Sequence, residues 1–244
     1  MSKIKIELEN GKEIFIEKGT SIHSVMKENS LERDIPITLG KFNGKLLELY
    51  KKIYDPGKLE VIDISNSIAM RTYIRTLKFI LVTSVLEIFP DAKISIEHSL
   101  SKGLYCEIHK ESLLTEEDIE KIKKKMIKII NEDKIIKKSE VSKEEAIEIF
   151  RNYNMEDKLR LLKHSKKKRV KLYCLCGRYD YFYGPMAFST GSIKNFKLRF
   201  YSPGFILSYP TINNPNKIPE FEEQKKLSKI FHETEIWGNI LNVG

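Results

Sequence analysis

The sequence predicts an α+β protein in two parts, a small sheet with one short helix followed by a larger region of long helices and strands. Three observations predict it. Apolar and charged residues alternate around an Asn-Gly pair near the N-terminus, apolar spacing switches to the helical period after Asn66, and two capping-box signatures open helices in the middle of the chain.

Residues 3–9 and 12–17 alternate around Asn10-Gly11, a pair suited to the positive φ of a tight hairpin turn. Thr20 or Ser21 caps a short helix that carries Ile22, Val25 and Met26 on one face. Asn43-Gly44 marks a second turn, and Asp55-Pro56-Gly57 leads into a last strand over 58–64. The order β-β-α-β-β describes a β-grasp fold, assigned to residues 1–65.

Beyond it, residues 69–89 form a helix with Ile74, Leu77, Leu81, Val85 and Ile88 at helical spacing, closed by Pro90. Strands follow over 93–97 and 104–109, joined through Gly103. Thr115-Glu-Glu-Asp118 and Ser142-Lys-Glu-Glu145 are capping boxes, each opening a helix. The stretch 134–141 between them reads as a strand, and 156–164 as a helix. The second half is strand-rich, over 170–176, 179–183, 196–201 and 204–209. A loop spans 210–219 and a helix 221–237. These elements give a second domain over 66–220 and a C-terminal helix and linker over 221–244.

A hydrophobic fraction of 41% in 244 residues supports a real core. No apolar run approaches the roughly 18 residues of a membrane span, and the N-terminus lacks a signal peptide's apolar stretch, so a cytoplasmic protein with no membrane partner is expected. Cys106, Cys174 and Cys176 cannot all pair, and Cys-x-Cys is too tight for the usual zinc or redox spacing. They read as ordinary thiols. The net charge of +9 permits an acidic partner. Its densest clusters are Lys123, Lys124, Lys125 and Lys128, then Lys166, Lys167, Lys168 and Arg169; solvated surfaces explain both without a ligand.

The segments Gly40-Lys-Phe-Asn-Gly-Lys-Leu-Leu-Glu-Leu and Asp55-Pro-Gly-Lys-Leu-Glu-Val-Ile resemble the TGS domain, a β-grasp module of threonyl-tRNA synthetases, certain GTPases and stringent-response enzymes. Phe89-Pro-Asp-Ala-Lys-Ile-Ser-Ile, Lys102-Gly-Leu-Tyr-Cys-Glu-Ile, Asp157-Lys-Leu-Arg-Leu-Leu, Tyr183-Gly-Pro and Phe196-Lys-Leu resemble the second additional domain of threonyl-tRNA synthetases. That resemblance implies a domain that removes mischarged serine from tRNA, with a His-x-x-x-His on the first long helix and a Cys-x-x-x-His after an aspartate. Counted from Phe89-Pro90, the helical histidines fall on Arg75 and Phe79, and the loop cysteine and histidine on Phe182 and Met186. Lys158 and Asp180 match the family's site lysine and aspartate. The resemblance therefore implies a degenerate editing site with no catalytic residue left, its cleft lined by Arg75, Phe79, Lys158, Asp180, Phe182 and Met186. Such a cleft suits a small-molecule ligand; the alternative is that Phe79, Phe182 and Met186 simply fill it as core.

A TGS domain joined to a degenerate editing-like domain also resembles the N-terminal half of bacterial uridine (nucleoside) kinases. That resemblance implies a non-catalytic, regulatory or ligand-binding half, a partner kinase domain beyond Gly244, and ATP and magnesium used there. The tail from Phe231 resembles the linker into that domain. No phosphate-cradling loop lies within these residues: Gly40-Lys-Phe-Asn-Gly44-Lys45-Leu46 is one residue short and ends in leucine. The alternative function is an aminoacyl-tRNA editing-type deacylase or tRNA-binding module, and a plain dimerisation unit is a third.

His98, at a strand end, is the histidine nearest the family's cleft, yet no second ligand stands at metal spacing and no metal site is expected. Tyr179, Tyr181 and Tyr183 alternate on one strand face. They could stack a base or serve packing alone.

Overall fold

A computed structural model describes residues 2–222 of the chain. The first sheet has five strands: β1 (Lys3–Leu8), β2 (Glu13–Glu17), β4 (Ile37–Phe42), β5 (Lys45–Glu48) and β7 (Gly57–Asp63), in the order β2-β1-β7-β4-β5. β1 and β7 run parallel at its centre and the other pairs are antiparallel, the arrangement of a β-grasp. Alternation decides the buried face: Ile4, Ile6 and Leu8 of β1 are buried and the lysines and glutamate between them exposed. α1 (Ile22–Glu28) lies on that face, capped by the Ser21 hydroxyl, which accepts from the Ser24 amide. It crosses β4 at Gly40, where a Cβ would stand 2.7 Å from Ile22 Cγ2, so only glycine allows the approach. A short ladder joins β3 (Thr20–Ser21) to β6 (Lys52–Ile53).

The editing-like domain is built around α2 (Ser67–Ile88), capped by Asn66. Tyr73, Leu77, Phe79, Ile80, Leu81 and Val85 are all buried, so the helix is covered on several sides and not on one stripe. One flank packs on α3 (Glu116–Asn131), whose Ile119, Ile122, Met126 and Ile129 form the inward face below the Thr115–Asp118 capping box. A four-stranded antiparallel sheet, in the order β13 (Lys197–Tyr201), β14 (Gly204–Ser208), β9 (Gly103–His109), β8 (Lys93–Leu100), closes the same core. A second sheet, β10 (Lys137–Ser142), β11 (Arg169–Leu175) and β12 (Arg178–Asp180), carries α4 (Lys143–Asn152) and α5 (Glu156–His164) over a smaller cluster of Ala146, Phe150, Leu162, Val170 and Leu172.

Three expectations need correction. Residues 134–136 form no extended strand but one isolated antiparallel bridge, Ile135 opposite Ser189, closed by Ile136 donating to the Phe188 carbonyl and Thr190 to the Lys134 carbonyl, so β10 begins only at Lys137. β8 runs on to Leu100, with an irregularity between Ile96 and Ser99 that contains His98. Its turn is Ser101-Lys102, both at positive φ, and Gly103 belongs to β9. β12 stops at Asp180, so Tyr181 and Tyr183 leave the strand and the three tyrosines share no strand face. The helix expected over 221–237 lies outside the described residues. Among the described residues no helix is long and apolar enough to cross a membrane.

Candidate functional site

The loop after Asp180 is fixed at consecutive residues by side chains from three separate elements. The hairpin β11–β12 turns on Cys176 and Gly177, both at positive φ, and sets Asp180 opposite Tyr173. The Tyr173 hydroxyl donates to Glu48 Oε1 at 2.7 Å and stands 3.0 Å from the Gly184 carbonyl. Arg75 on α2 donates to the Pro185 carbonyl (2.5 Å), the Met186 amide to Glu48 Oε1 (3.1 Å) and the Ala187 amide to Thr76 Oγ1 (3.0 Å). Gly184 has φ +106°, and a Cβ there would lie 2.9 Å from Arg75 Nη2. The guanidinium occupies the space where a side chain at Gly184 would begin.

Glu48, at the end of β5, holds this network together. It is 7% exposed, and beyond Tyr173 and Met186 its other oxygen takes Lys138 Nζ at 2.6 Å and the Tyr50 hydroxyl at 3.0 Å. Burial alone would raise its pKa; the hydrogen bonds from Lys138, Tyr173 and Met186 outweigh that and hold the carboxyl below its ordinary range. One β-grasp carboxylate thus ties that sheet to β10, β11 and the site loop. Burial and Glu48 together push the Tyr173 and Tyr50 phenols up, so both remain donors.

The six residues expected to line the cleft divide into two groups. Phe79 is fully buried and Met186 2% exposed, and the Phe182 ring packs on Phe79 at 5.0 Å between centroids. Phe79 and Met186 belong to one buried cluster with Phe182 packed against it, and Arg75 lies beside Gly184 and the Pro185 carbonyl. Asp180 and Lys158 form the other group. Asp180 is buried, Lys158 Nζ lies 3.8 Å from its Oδ1, and the Tyr181 amide donates to the same oxygen. Burial raises the Asp180 pKa, and Lys158 opposes the rise without cancelling it. His98 sits apart on β8, its ring 5.6 Å from Tyr105. Among the described residues no group of three or more His, Cys, Asp or Glu side chains could hold a metal ion.

Open space lies next to the Phe182 end of this loop. A cleft of about 740 Å³ separates the β-grasp face, with Leu39, Leu46, Leu47, Glu48 and Lys51, from the wall made by Lys138, Glu140, Lys167, Arg169, Lys171 and Tyr173. Phe182 to Pro185 of the site loop form its floor, with Tyr181 beside them. Two of its cations are spent on carboxylates, Lys138 on Glu48 and Arg169 on Glu140. Lys51, Lys167 and Lys171 have no carboxylate partner among the described residues. On α3 Lys121 is paired to Glu117, Lys123 to Glu120 and Lys125 to Glu87, whereas Lys124 and Lys128 have no carboxylate partner among the described residues.

Sequence reasoning missed Glu48, Tyr173, Lys138 and Thr76. The available signal was the acid in Leu46-Leu47-Glu48-Leu49, charged where its neighbours are apolar.

Fold and site together define a β-grasp module joined to an editing-like α+β domain. No family model matches the chain. It is similar to the threonine–tRNA ligase of Caldanaerobacter subterraneus subsp. tengcongensis, 32% identical over 194 residues, 79% of this chain and 30% of the relative. It is likewise similar to those of Thermotoga maritima, 33% over 199 residues (80% of this chain, 30% of the relative), and Clostridium tetani, 30% over 196 (80% and 31%). The chain therefore spans about 30% of the length of the curated relatives it matches. These relatives overturn the expectation of a uridine kinase half: they are tRNA ligases, and nothing among them supports a kinase or a kinase-domain partner.

Proposed function

We propose that this chain is a tRNA-binding module of the threonyl-tRNA synthetase type, with residues 1–65 and 66–220 forming the two sides of its binding cleft. One observation carries the reading: Lys51, Lys167 and Lys171 face that cleft without a carboxylate partner among the described residues. Similarity to threonine–tRNA ligases over four-fifths of the chain and the net charge of +9 support it. Phosphates would displace counterions from the three ammonium groups, a gain that needs no particular base sequence. Cytoplasmic location and an acidic macromolecular partner belong to the same reading.

The test is binding of the full chain to tRNA across a salt series. Log affinity should fall linearly with log salt, and absence of binding at low salt would sink the proposal. A second reading, an aminoacyl-tRNA deacylase, rests on the buried Asp180 carboxyl with its raised pKa beside Lys158. The filled place between Phe79, Phe182 and Met186 argues against it. Seryl-tRNA incubated with the chain should survive; turnover abolished by Asp180→Ala would instead establish the deacylase.

A further inference from the structure

β8 is the outer strand of its sheet, and no backbone group of its first five residues, Lys93 to Glu97, is bonded outside the ladder with β9 among the described residues. An edge of that kind offers a row of N–H and C=O groups to a further strand. Its side chains are also unspent. Lys93 and Glu97 are exposed and neither has an ion-pair partner among the described residues, while on the neighbouring β9 Glu107 Oε2 and His109 Nε2 stand 3.5 Å from each other. Ser95 lies between Lys93 and Glu97 on the same face, and its Oγ is buried without a hydrogen-bond partner among the described residues. On the opposite face Ile94 and Ile96 are only partly buried against the core.

We propose that β8 pairs antiparallel with β8 of a second copy of this chain, about a two-fold axis at Ser95. A strand that meets its own copy in this way sets each residue against the one equally far from the axis on the other side. The register puts Lys93 of each copy opposite Glu97 of the other and Ile94 opposite Ile96 on the core side. It sets the two Ser95 hydroxyls against each other, so each supplies the partner the other lacks. Opposed charges, apolar pairs and hydroxyl pairs stabilise neighbouring strands, and like charges directly opposite destabilise them. Other edge strands fail that test. β2 centred on its exposed Phe15 sets Glu13 against Glu17, and β13 centred on Arg199 sets that arginine against itself. β10 centred on Ser139 opposes Lys138 to Glu140, but that lysine is held by Glu48. The irregularity between Ile96 and Ser99 confines the contact to a short ladder, so the dimer is a weak, concentration-dependent one. None of the pairing residues lines the cleft, so this inference stands apart from tRNA binding.

The experiment is sedimentation equilibrium of the full chain over a concentration series. The wild type should move from monomer towards dimer as concentration rises. Lys93→Glu and Glu97→Lys each turn both charge pairs into like pairs, and each should weaken self-association about tenfold. Mixing the two variants should restore association, because the glutamates of one copy then face the lysines of the other. A chain carrying both changes should self-associate like the wild type. That rescue also shows that the single variants are folded. A wild type that stays monomeric at every concentration overturns the proposal, whether the edge stays open or takes a strand of another protein. Self-association indifferent to the single reversals, or reversed variants that do not pair when mixed, overturns it equally.

Discussion

At the scale of single residues, Glu48 is the side chain whose loss the molecule would feel most. Its oxygens accept from Lys138, Tyr173, Tyr50 and the Met186 amide, so a neutral substitute leaves Lys138 half-buried beside donors without their anion. Glu48→Gln should destabilise the chain by about 3 kcal/mol in urea unfolding at neutral pH, the lower end for breaking a buried pair. The pH dependence follows from the depressed pKa. A carboxyl held below its unfolded value contributes stability that is present above that value and lost as pH falls through the folded one. The gap between wild type and Glu48→Gln should therefore persist at pH 7 and narrow below about pH 4, near the unfolded carboxyl pKa. A gap that stays constant into acid would show that Glu48 acts through shape alone. Asp180 has the opposite sign: its raised pKa makes the ionised form a cost that grows as pH rises, tolerated at a place where Lys158 stands close.

At the scale of elements, the loop after β12 owes its path to a glycine. Gly184 sits at φ +106° with the Arg75 guanidinium where a Cβ would go, so Gly184→Ala meets both an unfavourable backbone region and a collision. It should cost about 2 kcal/mol in thermal unfolding. Unchanged stability would mean the loop has another path. The regular elements were legible in the sequence because each rests on local signals: Asn10-Gly11, the Thr115 and Ser142 boxes, and the period of α2 and α3. The lost strand at 134–136 and the early end of β12 were not legible. In the first case the backbone groups are taken by residues distant in sequence, Phe188 and Thr190; in the second the Tyr181 amide turns to the Asp180 carboxylate beside it. For the same reason Arg75, Phe79, Phe182 and Met186 could be proposed by counting along the chain, while Glu48 could not. Its partners lie 90 or more residues away, at Lys138, Tyr173 and Met186.

At the scale of the whole molecule, pairing separates surface charge that can bind from surface charge that cannot. Lys121, Lys123 and Lys125 on α3 already face Glu117, Glu120 and Glu87, so an approaching phosphate would meet neutralised charge at those three positions. Lys51, Lys167 and Lys171 converge on the cleft with nothing to neutralise them among the described residues. Sequence density does not separate the two sets, since the α3 cluster is as dense as the one at 166–169. The two sets can be compared directly. Replacing Lys51, Lys167 and Lys171 together by glutamine should flatten the slope of log affinity against log salt by roughly 2 to 3, at about 0.7–0.9 for each phosphate no longer neutralised. The same change at Lys121, Lys123 and Lys125 should leave the slope nearly untouched, because freeing Glu117, Glu120 and Glu87 from their partners uncovers no phosphate. If the α3 set carries the slope instead, tRNA lies along that helix, and the cleft between the β-grasp and the editing-like domain is not where the nucleic acid sits.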